Sequence, residues 1–224
     1  VCLDKTGTLT QNRMLVVGAA LGLVEVPLDS GAVLRPLAEA AAMNNDADSD
    51  GERALGSSAT ERALLDFALA VGVDPVALWA SRPRVNAVER APKRPWMATM
   101  HGGKDPITIV KGAPDAVLQR STEILERGVA RAMTEADREA LLAMNDRLAA
   151  RPARVLGFAS CEAAPEGDEI GGLTWIGHLA MVDPLRPGAR DFIAALHRAG
   201  IETVMITGDQ AATAAAIARE LDLA

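Results

Sequence analysis

Val1-Cys2-Leu3-Asp4-Lys5-Thr6-Gly7-Thr8-Leu9-Thr10 opens the chain, and its reading decides the fold. The apolar run 1–3 has the character of a buried parallel strand, and it delivers the polar loop 4–10 at its carboxyl end. Open α/β sheets place their ligands there. A carboxylate that attacks a γ-phosphoryl group needs its own charge and that of the phosphate offset by a cation, a nearby Lys and backbone amides. On that reading Asp4 is a nucleophile, Lys5 belongs to its electrostatic cradle, and Gly7 lets the main chain turn close to the ligand. A polar turn without chemistry would explain an isolated Asp and Lys, but not the whole heptad 4–10.

The other end of the chain has the same grammar. Pro187 opens a predicted helix whose apolar positions Phe192, Ile193 and Leu196 stop at Gly200. Residues 201–206 read as a buried strand, and Thr207-Gly208-Asp209 leads into a helix that runs to Leu223. Strand, loop and helix in that order are the unit of a doubly wound sheet. A hydroxyl and amides at a helix start also make an anion site.

Between the two ends the pattern is α+β. Residues 14–26 read as strands broken by glycines and 34–43 as a helix, followed by a polar, acidic loop over 44–52. Ser58 with Glu61 three residues on is a capping-box signature, and Leu64, Phe67, Ala68 and Val71 recur at helical spacing until Gly72. A short helix is expected at Asp74-Pro75, strands around 85–88 and 106–111, and another helix at Pro114. Thr134 with Asp137 announces a long helix to about Ala150, and 153–160 and 173–182 are strand-like.

Bulk properties narrow the function classes. A chain of 224 residues, 49% hydrophobic, can bury one large core or two modest ones. A net charge of -7, with Lys and Arg scattered, argues against nucleic acid as a partner. Two cysteines, Cys2 and Cys161, are too few for a disulfide framework and suit a reducing setting. The longest apolar stretch, 14–24, is about half the roughly 20 residues that cross a bilayer. The chain begins at Val1, already inside a buried strand, so a piece of a longer protein is the expectation.

The heptad Asp4-Lys5-Thr6-Gly7-Thr8-Leu9-Thr10, continued by Gln11-Asn12-Arg13-Met14, resembles the phosphorylation signature of P-type ATPases, a branch of the haloacid-dehalogenase-like superfamily. Phosphatases of that superfamily carry a second Asp two residues after the nucleophile; here the position is Thr6. A site without that general acid and base holds its aspartyl-phosphate longer, which suits a pump. Further segments agree in order. Lys111-Gly112-Ala113-Pro114 resembles the loop beside adenine in the family's nucleotide-binding domain, and Glu61 matches the residue that faces the adenine amino group. Arg154 matches the Arg that reaches the phosphates. Asp183-Pro184-Leu185-Arg186 resembles the return hinge, with Asp183 and Arg186 near the ribose and phosphates. Thr207-Gly208-Asp209 resembles the loop that holds the transferred phosphoryl group. Taken alone, Lys111 is a solvated turn residue, Glu61 a capping residue and Arg154 a surface charge; their joint presence with the heptad favours the functional reading.

The resemblance implies an incomplete doubly wound α/β phosphorylation domain, residues 1–13 and 182–224, with an inserted α+β nucleotide-binding domain, 14–181, on a mainly antiparallel sheet. It implies ATP and Mg2+ as cofactors, with Asp4 and Thr6 at the metal. It further implies a transported cation, and membrane and actuator domains of the same chain, on the cytoplasmic face of a membrane. Two departures stand out. The family's adenine-stacking Phe is absent from 90–97, so Trp96 or Arg90 takes its place, or Trp96 simply fills the core. The later magnesium-binding motif is also absent, so these residues alone are expected to be inactive. The competing readings are a soluble phosphatase of the same superfamily and a nucleotide-binding regulatory module.

Overall fold

A computed structural model describes residues 1–150, 153–162, 170–207 and 211–223. The chain starts with β1 (Cys2–Asp4), an irregular turn over Lys5–Leu9, and the hairpin β2 (Leu15–Leu21) and β3 (Val24–Val26). Then come α1 (Arg35–Met43), the small ladder β4 (Asp48–Ser49) and β5 (Ala54–Leu55), α2 (Ala59–Val71) and α3 (Pro75–Ser81). Three antiparallel strands follow, β6 (Arg84–Val88), β7 (Trp96–His101) and β8 (Ile107–Gly112). After α4 (Pro114–Leu118) lie β9 (Ser121–Glu126), β10 (Val129–Ala132), α5 (Glu135–Ala149), β11 (Arg154–Cys161) and β12 (Leu173–Val182). The last described elements are α6 (Ala189–Arg198), β13 (Val204–Ile206) and α7 (Ala211–Glu220).

Among the described residues nine strands form one sheet in the order β10-β9-β12-β11-β8-β7-β6, with β2 beside β12 and β3 beside β2. All its pairs are antiparallel except β12 with β9. Both faces are covered, so the central strands β7, β8 and β12 are buried along most of their length. Alternation along the strands, with a bulge at Ile176 of β12, sends Ile109, Phe158 and Leu179 to the α1–α2 face, while Val110, Ala159 and Trp175 join Val117, Leu118 and Leu141 of α4 and α5. The sheet is thus the mainly antiparallel one expected for the middle of the chain.

Local chemistry explains the helices. Ser58 accepts the Glu61 amide and Gly72 ends α2 in the left-handed region at φ 90°, while Asp74 caps α3 with Pro75 at its first position. Thr134 and Asp137 make a complete capping box on α5. No single helix among the described residues is long and apolar enough to cross a membrane, and α2 and α3, which together reach that length, meet at 97°.

A separate small core joins the two ends of the chain: Leu3 and Leu9 pack with Ala189, Ile193, Ile217 and Leu221. There β1 and β13 pair in parallel, Cys2 with Val204, Leu3 with Met205 and Asp4 with Ile206. Four expectations need correction. Residues 1–3 are not a buried strand: β1 runs Cys2–Asp4, only its Leu3 is buried, and Val1 is 59% exposed. Residues 201–206 are not a buried strand: Val204 is 56% and Ile206 57% exposed, because described residues pack on one face of this two-stranded pair. The helix after Pro187 begins two residues later, since Gly188 takes φ 80° and α6 starts at Ala189. The polar loop 44–52 is buried where it starts, with Asn44 and Asn45 almost fully enclosed.

Candidate functional site

Two groups of the sequence-predicted residues come together, one at each core. The first is built on β1. Its parallel register sets Asp4 opposite Ile206, so that Asp4 and Thr207 leave neighbouring strands at the same carboxyl edge. Asp4 is exposed, and so is Thr6, whereas Lys5 is buried at 6% exposure. Gly7 turns the loop at φ 80°. The loop is tied by Thr10, which is fully buried: its amide bonds Lys5 O at 3.0 Å, and its hydroxyl accepts the Gly7 amide at 3.3 Å. Gly208 and Asp209 lie outside the described residues.

Asp183 and Arg186 belong to this group. Asp183 accepts the Thr10 hydroxyl at 2.6 Å and the Arg13 amide at 3.2 Å. The Arg186 guanidinium donates to Gly7 O at 2.8 Å and to Thr10 O at 3.1 Å, and its amide reaches Leu9 O. Segment 183–186 therefore clamps the loop that follows Asp4.

The second group surrounds the first turn of α2. Lys111, at the end of β8 and only 4% exposed, points its ammonium at both carboxylate oxygens of Glu61, 2.6 and 2.5 Å away, and at Asn44 O, 2.6 Å away. Burial pushes the Lys111 ammonium below its ordinary pKa, opposed by the Glu61 carboxylate. Arg154, at the start of β11, donates to Thr60 Oγ1 at 3.1 Å, one residue from Glu61. The structural reading of Glu61 as a capping residue covers only its amide: its carboxylate goes to Lys111 and to the Asp46 amide.

Gly112 follows Lys111 and faces Gly157 across the β8–β11 ladder. A Cβ on Gly112 would come within 2.5 Å of Pro95 O and Trp96 Cβ, so its size is dictated by the main chain of β7. Trp96 is 1% exposed within the core, with the guanidinium groups of Arg94 and Arg120 5.6 and 5.2 Å from its ring centroid. It fills the core instead of offering a stacking face to a ligand. Arg90 is exposed.

Sequence reasoning missed the residues behind Lys111. Asn44 spans β7 and β8 by donating to Met97 O at 3.3 Å and Ile109 O at 2.7 Å, and its side-chain oxygen is buried without a partner. Asn45 Nδ2 donates to Glu61 O at 2.9 Å. The only signal was the pair of asparagines directly after a helix, which reads equally as a loop start.

The sequence model of the family described as "P-type ATPase, cytoplasmic domain N" matches residues 33–188. The chain belongs to the P-type ATPase family. It is 35% identical over 254 residues to the probable cation-transporting ATPase F of Mycobacterium tuberculosis, covering 100% of this chain and 28% of that protein. It is also 35% identical over 233 residues to calcium-transporting ATPase 1 of Bacillus cereus, and 34% over 232 residues to calcium-transporting ATPase 1 of Lactococcus lactis, in each case covering 100% of this chain and 26% of the relative. The chain thus spans about a quarter of the length of the relatives it matches.

Proposed function

We propose that this chain is the ATP-binding and phosphoryl-accepting part of an ion pump that couples ATP hydrolysis, through an aspartyl-phosphate, to cation movement across a membrane. The observation that carries the reading is the Asp4 carboxylate. It is exposed at the carboxyl end of a parallel strand, followed by a buried Lys5 and level with the strand end that precedes Thr207. The small core formed by residues 3–9 and 185–223 supports one phosphorylation unit made from 1–13 and 182–224, with 14–181 inserted as the nucleotide-binding unit. Its parallel pair, with α6 and α7, supports the haloacid-dehalogenase-like, doubly wound assignment of that unit.

The nucleotide would sit against Glu61, Lys111, Gly112 and Arg154, with its γ-phosphoryl group delivered to Asp4. An oxygen of the Asp4 carboxylate forms the new bond to phosphorus as the bond to the departing ADP oxygen breaks. Lys5, Thr207, Gly208 and Asp209 would surround the transferred group, and Asp183 and Arg186 would keep the Asp4 loop in register with the inserted unit. Among the described residues no three His, Cys, Asp or Glu side chains gather to hold a metal on their own. That fits Mg2+, which commonly takes one or two carboxylates and completes its shell with substrate phosphates and water. Asp4 and Thr6 would hold it, and when bound the ion offsets phosphate charge. Thr6 stands where a second carboxylate would hydrolyse the phosphoenzyme, which favours the pump over a soluble phosphatase.

The test uses a protein of the relatives' length that contains this chain. Incubated with γ-labelled ATP and quenched in acid, it is expected to retain label, and Asp4→Asn is expected to retain none while still binding ATP. Normal labelling of Asp4→Asn would overturn the assignment of Asp4.

A further inference from the structure

Arg84 on β6 has no place in the phosphoryl-transfer scheme, yet its guanidinium gathers the loop that follows α1. It donates to Asp46 Oδ1 at 2.8 Å, to Met43 O at 3.5 Å, and to Asn45 O. The opposite groups of the same loop serve the nucleotide pair. Asn44 O accepts Lys111 Nζ at 2.6 Å, the Asp46 amide donates to Glu61 Oε2 at 3.2 Å, and Asn45 Nδ2 donates to Glu61 O. Residues 43–46 are therefore a belt with Arg84 on one side and Lys111 with Glu61 on the other. The Arg84 side chain is 33% exposed, and beside it opens a cleft of about 290 Å³ walled also by Trp79, His101 and Asp48.

We propose that Arg84 is a positioning residue for nucleotide binding: by holding residues 43–46 it sets where the Lys111 ammonium and the Glu61 carboxylate meet the base. The inference rests on the reading of Lys111 and Glu61 as nucleotide ligands. A guanidinium fork suits the task, because one planar group can serve a carboxylate and main-chain oxygens together, which a single ammonium cannot do with the same geometry. The buried, unpartnered oxygen of Asn44 marks the belt as a place where polar atoms are held for position at a cost in hydrogen bonding. The charges also communicate, since Arg84 disfavours and Asp46 favours the charged form of Lys111.

Two readouts on this chain decide the matter: ATP affinity by calorimetry, and the side-chain ammonium resonance of Lys111, which a buried and hydrogen-bonded amine protects from exchange. Arg84→Met is expected to weaken ATP about tenfold and to broaden the Lys111 ammonium signal, with the amide spectrum of the sheet retained. Arg84→Lys, which keeps the charge and loses the fork, is expected to fall between the two and guards against a Met variant that fails to fold. Wild-type affinity and an unchanged Lys111 signal in both variants would overturn the proposal. If the wild-type chain binds no ATP while Arg84→Met still alters the Lys111 signal, the positioning role stands and the nucleotide reading falls.

Discussion

The Thr10 hydroxyl donates a 2.6 Å hydrogen bond to Asp183 Oδ2, joining residues 173 positions apart in the chain. Asp183 uses its second oxygen on the Arg13 amide, so one carboxylate fastens the loop after Asp4 to the strand end at Val182. Hydrogen bonds to a charged acceptor contribute about 1.5–3 kcal/mol each.

Asp183→Asn is expected to loosen this tie locally. The amide keeps the shape but loses the charge, and the amides of Gly7, Thr10 and Arg13 are expected to exchange roughly tenfold faster, equivalent to about 1.4 kcal/mol. Hydrogen exchange of wild type and variant checks this. Amides of α2 residues 64–71 serve as the reference and are expected to be unaffected.

The Lys111–Glu61 pair makes a second expectation. Removing one partner leaves a buried charge uncompensated, which costs about 3–5 kcal/mol, whereas replacing both with apolar groups is often close to neutral. Glu61→Gln is therefore expected to destabilise the chain more than the double variant Glu61→Leu with Lys111→Met. Denaturant unfolding of the variants supplies the comparison. A double variant that loses as much as Glu61→Gln would contradict this expectation.

A third expectation concerns acid. His178 lies in the middle of β12, 1% exposed, its ring edge-on to Trp175 at 4.7 Å with Nδ1 unpartnered, and burial pushes its pKa down to about 4. The ordinary value of 6.5 holds in the unfolded chain, so the unfolded state binds the proton more readily. The stability from keeping His178 neutral is complete above pH 6.5 and is lost as pH falls toward 4. With 1.36 kcal/mol per pH unit, the loss reaches about 3 kcal/mol. His178→Leu is expected to remove that part of the acid sensitivity, read as a smaller fall in unfolding free energy between pH 7 and 4.5.

Much of the fold could be read from the residues because its signals are local. Ser58, Asp74, Thr134 and Gly72 are caps whose chemistry acts within one helical turn, and each stands where the helices α2, α3 and α5 begin or end. Strand β7 escaped because Trp96–His101 is buried on both sides, leaving no alternation, and contains only one β-branched residue. The β9–β10 hairpin escaped for another reason. Its two-residue turn, Arg127-Gly128, has φ 51° and 83°, the primed turn that Asn-Gly usually marks, and Arg at a left-handed position gives no such cue.

The candidate site divides the same way. Asp4 and Lys5 could be proposed from the residues alone because a loop at a strand end presents consecutive side chains. Arg84, Asn44 and Asp46 could not, since what they do depends on β6 and the loop after α1 meeting across 38 residues of chain. Trp96 shows the limit from the other side: an aromatic in the right segment turned out to be held by the core, where Gly112 and Gly157 leave room for Trp96 and Trp175.

Residues far apart in sequence, Glu61, Lys111, Gly112 and Arg154, are proposed to make one nucleotide site. Titrating ATP into the isotope-labelled chain and following its amide resonances tests it most directly. Shifts are expected to saturate together and to cluster at 44–46, 60–61, 111–113 and 154, leaving the β9–β10 hairpin unmoved. Shifts absent from those residues at millimolar ATP, or confined to the exposed face of β13, would contradict it.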